Sequence, residues 1–213
     1  MRIIAGALKG RALVTPRGHR TRPTADQVRI ALLDALMPYV ANARMLDLFA
    51  GAGGVGLEAL SRGAAHATFV ERDPQAVAAL HKNVTTLGVR SRARVLQGGV
   101  ASAIDRLALE GVPFDVVFLD PPYEGERAKG TSPDLVDKTL ERLGEGTVIT
   151  ADAVVVAQHM TKQPPHGVTG MLTAVRQRRF GETTLTFFRV GTPNVEPSAD
   201  SLVQTNDESP AQP

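Results

Sequence analysis

Asp120-Pro121-Pro122-Tyr123 is the stretch whose residue types most directly suggest chemistry. It follows the apolar run Phe114–Leu119 without a break. Two successive prolines cannot continue a hydrogen-bonded ladder and hold the backbone extended, so their carbonyls project outward. Asp120 then sets a carboxylate beside the carbonyl of Pro121. Two neighbouring acceptors suit one –NH2 group, which has two donors. Tyr123 adds an aromatic face on which a flat base can stack, worth about 1–3 kcal/mol. An amine conjugated to a base is a poor nucleophile, because its lone pair is delocalised into the ring. Hydrogen bonds to Asp120 and Pro121 favour a pyramidal nitrogen whose lone pair points at an electrophile, and in-line positioning does the rest. A D-P-P sequence can also simply end a buried strand, so its weight depends on its neighbours.

The first neighbour is Asp47-Leu48-Phe49-Ala50-Gly51-Ala52-Gly53-Gly54-Val55-Gly56. Gly51, Gly53 and Gly56 form a G-x-G-x-x-G turn between an expected strand and an expected helix, where missing Cβ atoms allow a tight turn and close approach to a ligand. NAD, FAD and S-adenosylmethionine sites share this pattern, and some such turns bind nothing. The second neighbour is Glu71 in Phe69-Val70-Glu71-Arg72-Asp73. An acid about 20 residues beyond the glycine turn is placed to accept from both ribose hydroxyls. Asp73, followed by Pro74, reads instead as a helix cap. The five histidines, His19, His66, His81, His159 and His166, are scattered and suggest no metal site. The absence of cysteine excludes disulfides, thiolate-ligated zinc, Fe–S clusters and Cys nucleophiles.

The elements that position these residues alternate. Strands are expected at Met45–Phe49, Ala67–Val70, Arg94–Leu96, Phe114–Leu119 and Ala153–Ala157. Helices are expected at Val55–Arg62, Asp73–Leu87, Ala101–Leu109 and Leu135–Leu143. Such alternation predicts right-handed βαβ units and a parallel sheet covered on both faces. Thr173–Arg179 and Thr183–Val190, flanking Gly181-Glu182, predict a closing antiparallel hairpin. Upstream, Arg2–Ala5 and Ala12–Val14 read as a short extended pair. A helix then opens on the capping box Thr24-Ala25-Asp26-Gln27, carries Val28, Leu32 and Leu36 on one face, and is expected to stop at Pro38. The expected organisation is a basic arm over 1–23, one α/β domain over 24–191 and an acidic, disordered tail over 192–213.

The net charge of +2 conceals an asymmetry. Residues 1–44 carry +6 and the tail −4. A basic front end fits a phosphate-rich partner or a merely solvated arm. No apolar run reaches 18 residues and the N-terminus lacks a signal-peptide core, so no membrane span is expected and the cytoplasm is the default location.

At this point the chain resembles the bacterial 16S rRNA (guanine-N2)-methyltransferases over roughly 1–190. The resemblance rests on Arg2-Ile3-Ile4-Ala5-Gly6, Lys9-Gly10-Arg11, Thr21-Arg22-Pro23-Thr24 and Asp47-Leu48-Phe49-Ala50-Gly51 with Gly53. It includes Leu57-Glu58-Ala59-Leu60-Ser61-Arg62-Gly63-Ala64, Asp120-Pro121-Pro122-Tyr123 and Arg179-Phe180-Gly181-Glu182-Thr183. It implies a class I methyltransferase (Rossmann-like) fold: a mostly parallel seven-stranded sheet, helices on both faces, a C-terminal hairpin and a small N-terminal extension. It implies S-adenosylmethionine as cofactor, held by Asp47, Phe49, Gly51, Gly53, Gly56, Glu71, Arg72, Val100 and Asp120. Catalysis falls to Asp120, Pro121, Pro122 and Tyr123. RNA is held by Arg11, Arg20, Arg22 and Thr24, and the target base leaves its stack. The implied partner is 16S rRNA, within a small subunit or an assembly intermediate, and the expected state is a metal-free monomer. Three positions depart from the family pattern. Gly98-Gly99 replaces Gly-Asp, Gln27 replaces Arg, and Ala157-Gln158-His159 ends a strand where an acid is common. The D-P-P-Y chemistry also permits adenine-N6 or cytosine-N4 in DNA, or a protein glutamine amide. A non-catalytic RNA-binding role is the remaining alternative.

Overall fold

The computed structural model describes residues 1–16, 23–122, 134–146 and 148–191. Arg20, Arg22 and Tyr123, with the whole tail from 192, lie outside the described residues, as does the side chain of Thr24.

Eight strands form one sheet in the order β3-β2-β1-β4-β5-β8-β7-β6. β1 (Arg44–Leu48), β2 (His66–Glu71), β3 (Ala93–Gln97), β4 (Phe114–Leu119) and β5 (Ile149–Met160) run parallel to one another. β8 (Thr183–Val190) pairs antiparallel with both β5 and β7 (Leu172–Phe180). This is the mostly parallel sheet with a closing hairpin that the alternation predicts. The count is eight rather than seven because β6 (Val168–Thr169) adds a two-residue pairing across the turn at Gly170, too short to leave any period in the sequence.

Two cores cover the two faces. α1 (Pro23–Val40), α2 (Gly54–Ser61) and α3 (Pro74–Thr86) pack on one through Leu32, Leu36, Leu57 and Leu80, against Phe69 and Phe118. α4 (Val100–Glu110) and α5 (Leu135–Gly144) pack on the other through Ile104, Leu107 and Leu140 against Val117 and Leu119. Leu46 and Leu48 face one core while Met45 faces the other, so the central strands are apolar on both sides. At α3 the expected cap is present: the Asp73 side chain accepts from Gln75 N at 2.9 Å and Pro74 takes the first helical position.

Three local expectations are corrected. α1 begins at Pro23, so Thr24 lies inside the first turn rather than at the cap. Nor does Pro38 stop α1, which runs on to Val40. The N–H that proline lacks would have bonded the carbonyl of Asp34, four residues back on the exposed side, where water can replace it. Buried Val40 holds the last turn down. The third concerns the N-terminal pair, which amounts to a single bridge, Arg2 to Ala12. The amides of Ile4 and Ala5 turn away from that ladder and donate to Glu58 Oε2 and Oε1, both at 2.8 Å.

Candidate active site

Strand order reverses between β1 and β4, and in open α/β sheets the crevice beyond the carboxyl ends at such a switch point receives the ligand. β1 delivers the glycine turn to it and β4 delivers Asp120-Pro121-Pro122. Leu48 pairs with Leu119, so the two segments leave the sheet side by side. Phe49, the first residue past β1, has φ 64°, uncommon for a residue with a Cβ.

The three glycines serve different ends. Gly51 (φ 55°) faces open space: a Cβ there would meet nothing within 4 Å. Gly53 (φ 84°) precedes α2, and a Cβ would strike Leu80 Cδ1 at 2.4 Å. Gly56 lets α2 lie against β2, because a Cβ would come within 2.4 Å of Phe69 Cε1. Gly51 thus leaves room in the crevice, while the other two close the packing beneath it.

Asp47 is buried beneath the turn, and its Oδ2 accepts from Gly56 N at 2.9 Å, tying β1 to the start of α2. Burial pushes its carboxyl up to about 7, opposed by the Gly56 bond and assisted by the charges of Asp120 and Glu71. Glu71 Oε2 accepts from Gly51 N at 2.7 Å, and Oε1 accepts from Arg72 N and Asp73 N at 2.7 and 2.8 Å. Glu71 therefore shapes the glycine turn directly. A carboxylate offers about four acceptor sites, so capacity remains for a ligand hydroxyl. The Arg72 side chain is exposed, Asp120 is half-buried, Pro121 buried and Pro122 half-buried. Val100 opens α4, and Gly99 caps it without a side-chain bond. A Cβ on Gly99 would have only Ser102 Oγ near, at 3.9 Å, so an acid would fit there.

Asp47, Glu71 and Asp120 bring three carboxylates around one open turn. That acidic crevice, open at Gly51, fits S-adenosylmethionine, whose sulfonium and ammonium are cationic. A separate cavity of about 160 Å³ lies at the opposite, amino edge of the sheet, lined by Arg44, His66, Arg94 and Phe114, and takes no part in this crevice. Among the described residues no cluster of three or more His, Asp or Glu could hold a metal, and no helix is long and apolar enough to cross a membrane. His159 is buried at the end of β5 against Thr186 Oγ1 (2.7 Å), and burial lowers its pKa.

Several residues that shape the site escaped the sequence reading. Glu58, fully buried, holds Ile4 and Ala5 and also accepts from Arg62 Nε at 3.2 Å. Ser61 accepts from Ala7 N through its carbonyl and from Leu8 N through its hydroxyl, which donates to Ala5 O. The Asn83 amide binds both ends of a span from the N-terminal segment to the glycine turn. It accepts from Val14 N at 2.7 Å and donates to Val14 O and Ala52 O, each at 2.9 Å. Arg11 is exposed, with Nη2 donating to Thr86 O at 2.8 Å. Arg29, counted with the basic front end, is instead buried with Nη2 on Arg2 O at 3.1 Å.

This fold and crevice define a class I methyltransferase. The family model described as "Conserved hypothetical protein 95" matches residues 1–189, and the chain belongs to that family. Ribosomal RNA small subunit methyltransferase D of Escherichia coli K12 is 38% identical over 158 residues, 74% of either chain. Its Haemophilus influenzae namesake is 36% identical over 167 residues, 77% of this chain and 81% of that one. A Bacillus subtilis protein named as an rRNA methyltransferase is 34% identical over 189 residues, 89% and 98% of the two chains. An E. coli structure described as a methyltransferase superposes with TM-score 0.75 at 33% identity, covering 90% of this chain and 98% of that one. A methyltransferase solved with S-adenosylhomocysteine shares the fold at TM-score 0.65 and 13% identity, over 80% of this chain and 50% of that one.

Proposed function

We propose that the chain moves a methyl group from S-adenosylmethionine to the exocyclic N2 of a guanine in small-subunit ribosomal RNA. The observation that carries this reading is the convergence of Asp120-Pro121-Pro122 and the glycine turn at the β1/β4 switch point, with Asp47 beneath the turn and Glu71 bonded to Gly51 N. The relatives named for ribosomal RNA support the substrate class.

S-adenosylmethionine supplies an electrophilic methyl when bound. Gly51 leaves the space it needs, Glu71 has acceptor capacity for ribose hydroxyls, and Asp47 stiffens the turn from below. Asp120 and the Pro121 carbonyl accept the two N–H bonds of the target amine and aim its lone pair away from the ring. The proton lost on N-methylation leaves through Asp120 or water. Tyr123 stacks the flipped base, and Arg11, Arg20, Arg22 and Thr24 hold the flanking RNA.

The test is transfer of labelled methyl to small ribosomal subunits lacking their native methylations, followed by nucleoside analysis. N2-methylguanosine as the labelled product is expected. Label in N6-methyladenosine, N4-methylcytosine or glutamine would refute the target while leaving the D-P-P chemistry in place.

A further inference from the structure

The register carries the row of the active-site aspartate across the sheet to an arginine. Leu119 pairs with Ala157, Ala157 with Thr186, and Thr186 with Gln177. Asp120 and Arg178 are each one residue further toward the same edge. They stand three strand spacings apart, about 14 Å at 4.7–4.9 Å per strand.

Arg178 is one of three arginines on the α1 side of the hairpin. Arg176 lies over the ring of Phe187 at 5.9 Å, and Phe187 belongs to the α1-side core. Arg189 lies over Tyr39 of α1 at 5.1 Å. Among the described residues none of the three has an acid within ion-pair distance, and Asp34, the acid felt by Arg178, is held by Arg62 at 2.7 Å. Nη1 of Arg189 is buried without a hydrogen-bond partner, as is Oγ1 of Thr173, its cross-strand neighbour. Burial, and after it the neighbouring charge of Arg176, disfavours the charge on Arg178. The strand is also open: β6 covers β7 only at Leu172 and Thr173, so Val175–Phe180 form an unpaired edge among the described residues. Concentrated, unneutralised guanidinium groups beside a free edge and an exposed aromatic ring complement a sugar-phosphate backbone, which offers bidentate acceptors at short intervals.

We propose that Arg176, Arg178 and Arg189, with Tyr39, form a phosphodiester-binding track that leads nucleic acid along β7 to the crevice at Asp120. The track deepens the functional reading above, on which its choice of RNA rests. Edge cations also deter edge-to-edge pairing of sheets, and that role alone would leave RNA binding untouched.

The experiment is equilibrium binding of an unmodified 16S rRNA transcript, and of polyuridylate, to the full chain across a salt series, without turnover. Arg176→Gln/Arg178→Gln is expected to weaken binding at least tenfold at low salt and to flatten the log–log salt slope by about 1.4–1.8, two phosphates at 0.7–0.9 each. Arg176→Lys/Arg178→Lys keeps the charge and the slope. Arg178→Gln alone serves if the double variant fails to fold, with half the change in slope. An unchanged slope, with or without new self-association, overturns the track, and so does weaker binding at unchanged slope. The guanine assignment is read separately from the methylated nucleoside of the wild-type chain. A wrong product with the slopes as expected would remove the target and leave the track.

Discussion

Asp47→Asn tests the buried acid beneath the glycine turn. The wild-type carboxyl is buried, and burial raises it from 3.8 to about 7. Between those values the folded chain keeps a proton that the unfolded chain has released. Stability therefore falls as pH rises through that window, by at most about 1.4 kcal/mol per unit, and by about 4 kcal/mol in all once pH exceeds 7. Asparagine has nearly the same shape, cannot ionise, and keeps an oxygen to accept from Gly56 N. Urea unfolding of both proteins without cofactor, from pH 4 to 8, reads Asp47 together with its coupling to Asp120 and Glu71, because the titrations of groups uncoupled to it cancel in the difference. The variant should match the wild type within about 1 kcal/mol near pH 4 and gain on it steadily toward pH 8. A difference that stays flat across the range would mean that Asp47 ionises in the fold as it does in the open chain, and the reasoning would fail.

Asp120→Ala should abolish methyl transfer while calorimetry shows S-adenosylmethionine still bound; retained turnover would remove Asp120 from the reaction. Gly56→Ala drives a methyl into the fully buried Phe69 ring and should cost about 1–3 kcal/mol in chemical denaturation. Glu58→Ala strands the amides of Ile4 and Ala5, at about 1–3 kcal/mol each, while Arg62 keeps Asp34, and it should raise amide exchange at Ile4 and Ala5; unchanged protection there would show that Glu58 does not hold the arm. Gly99→Asp enters open space at φ −75° and supplies α4 with a side-chain cap, roughly a few tenths of a kcal/mol better than glycine, so the melting temperature should rise by about 1 °C; a fall would show that the site is tighter than it looks.

Elements were legible where the cue is local. β4 runs over Phe114–Leu119 as its unbroken apolar run predicts, and Asp73-Pro74 starts α3 at its marked position. β5 was read only over its apolar centre, yet it extends from Ile149 to Met160 because pairing with β4 and β8 holds its polar ends. The crevice was legible for the same reason: glycines and prolines impose backbone geometry wherever they stand. Asp47 was read as a ligand contact, but its bond to Gly56 shows it also serving as a strut. Glu58 stood out only as part of the Leu57–Ala64 motif, and Asn83 carried no cue of its own. Both are buried because their partners come from the first fourteen residues, a relation no helical period encodes.

The clasp between Glu58, Ser61, Asn83 and the N-terminal segment sets an order of events during synthesis. Ile4 awaits a carboxylate 54 residues downstream and Val14 an amide 69 residues downstream. At about 5–20 residues per second the segment spends several seconds exposed before either acceptor is made. The N-terminal segment thus cannot be set in place until the stretches that become α2 and α3 have been synthesised. Because Asn83 also holds Ala52, its arrival braces the glycine turn at the same moment.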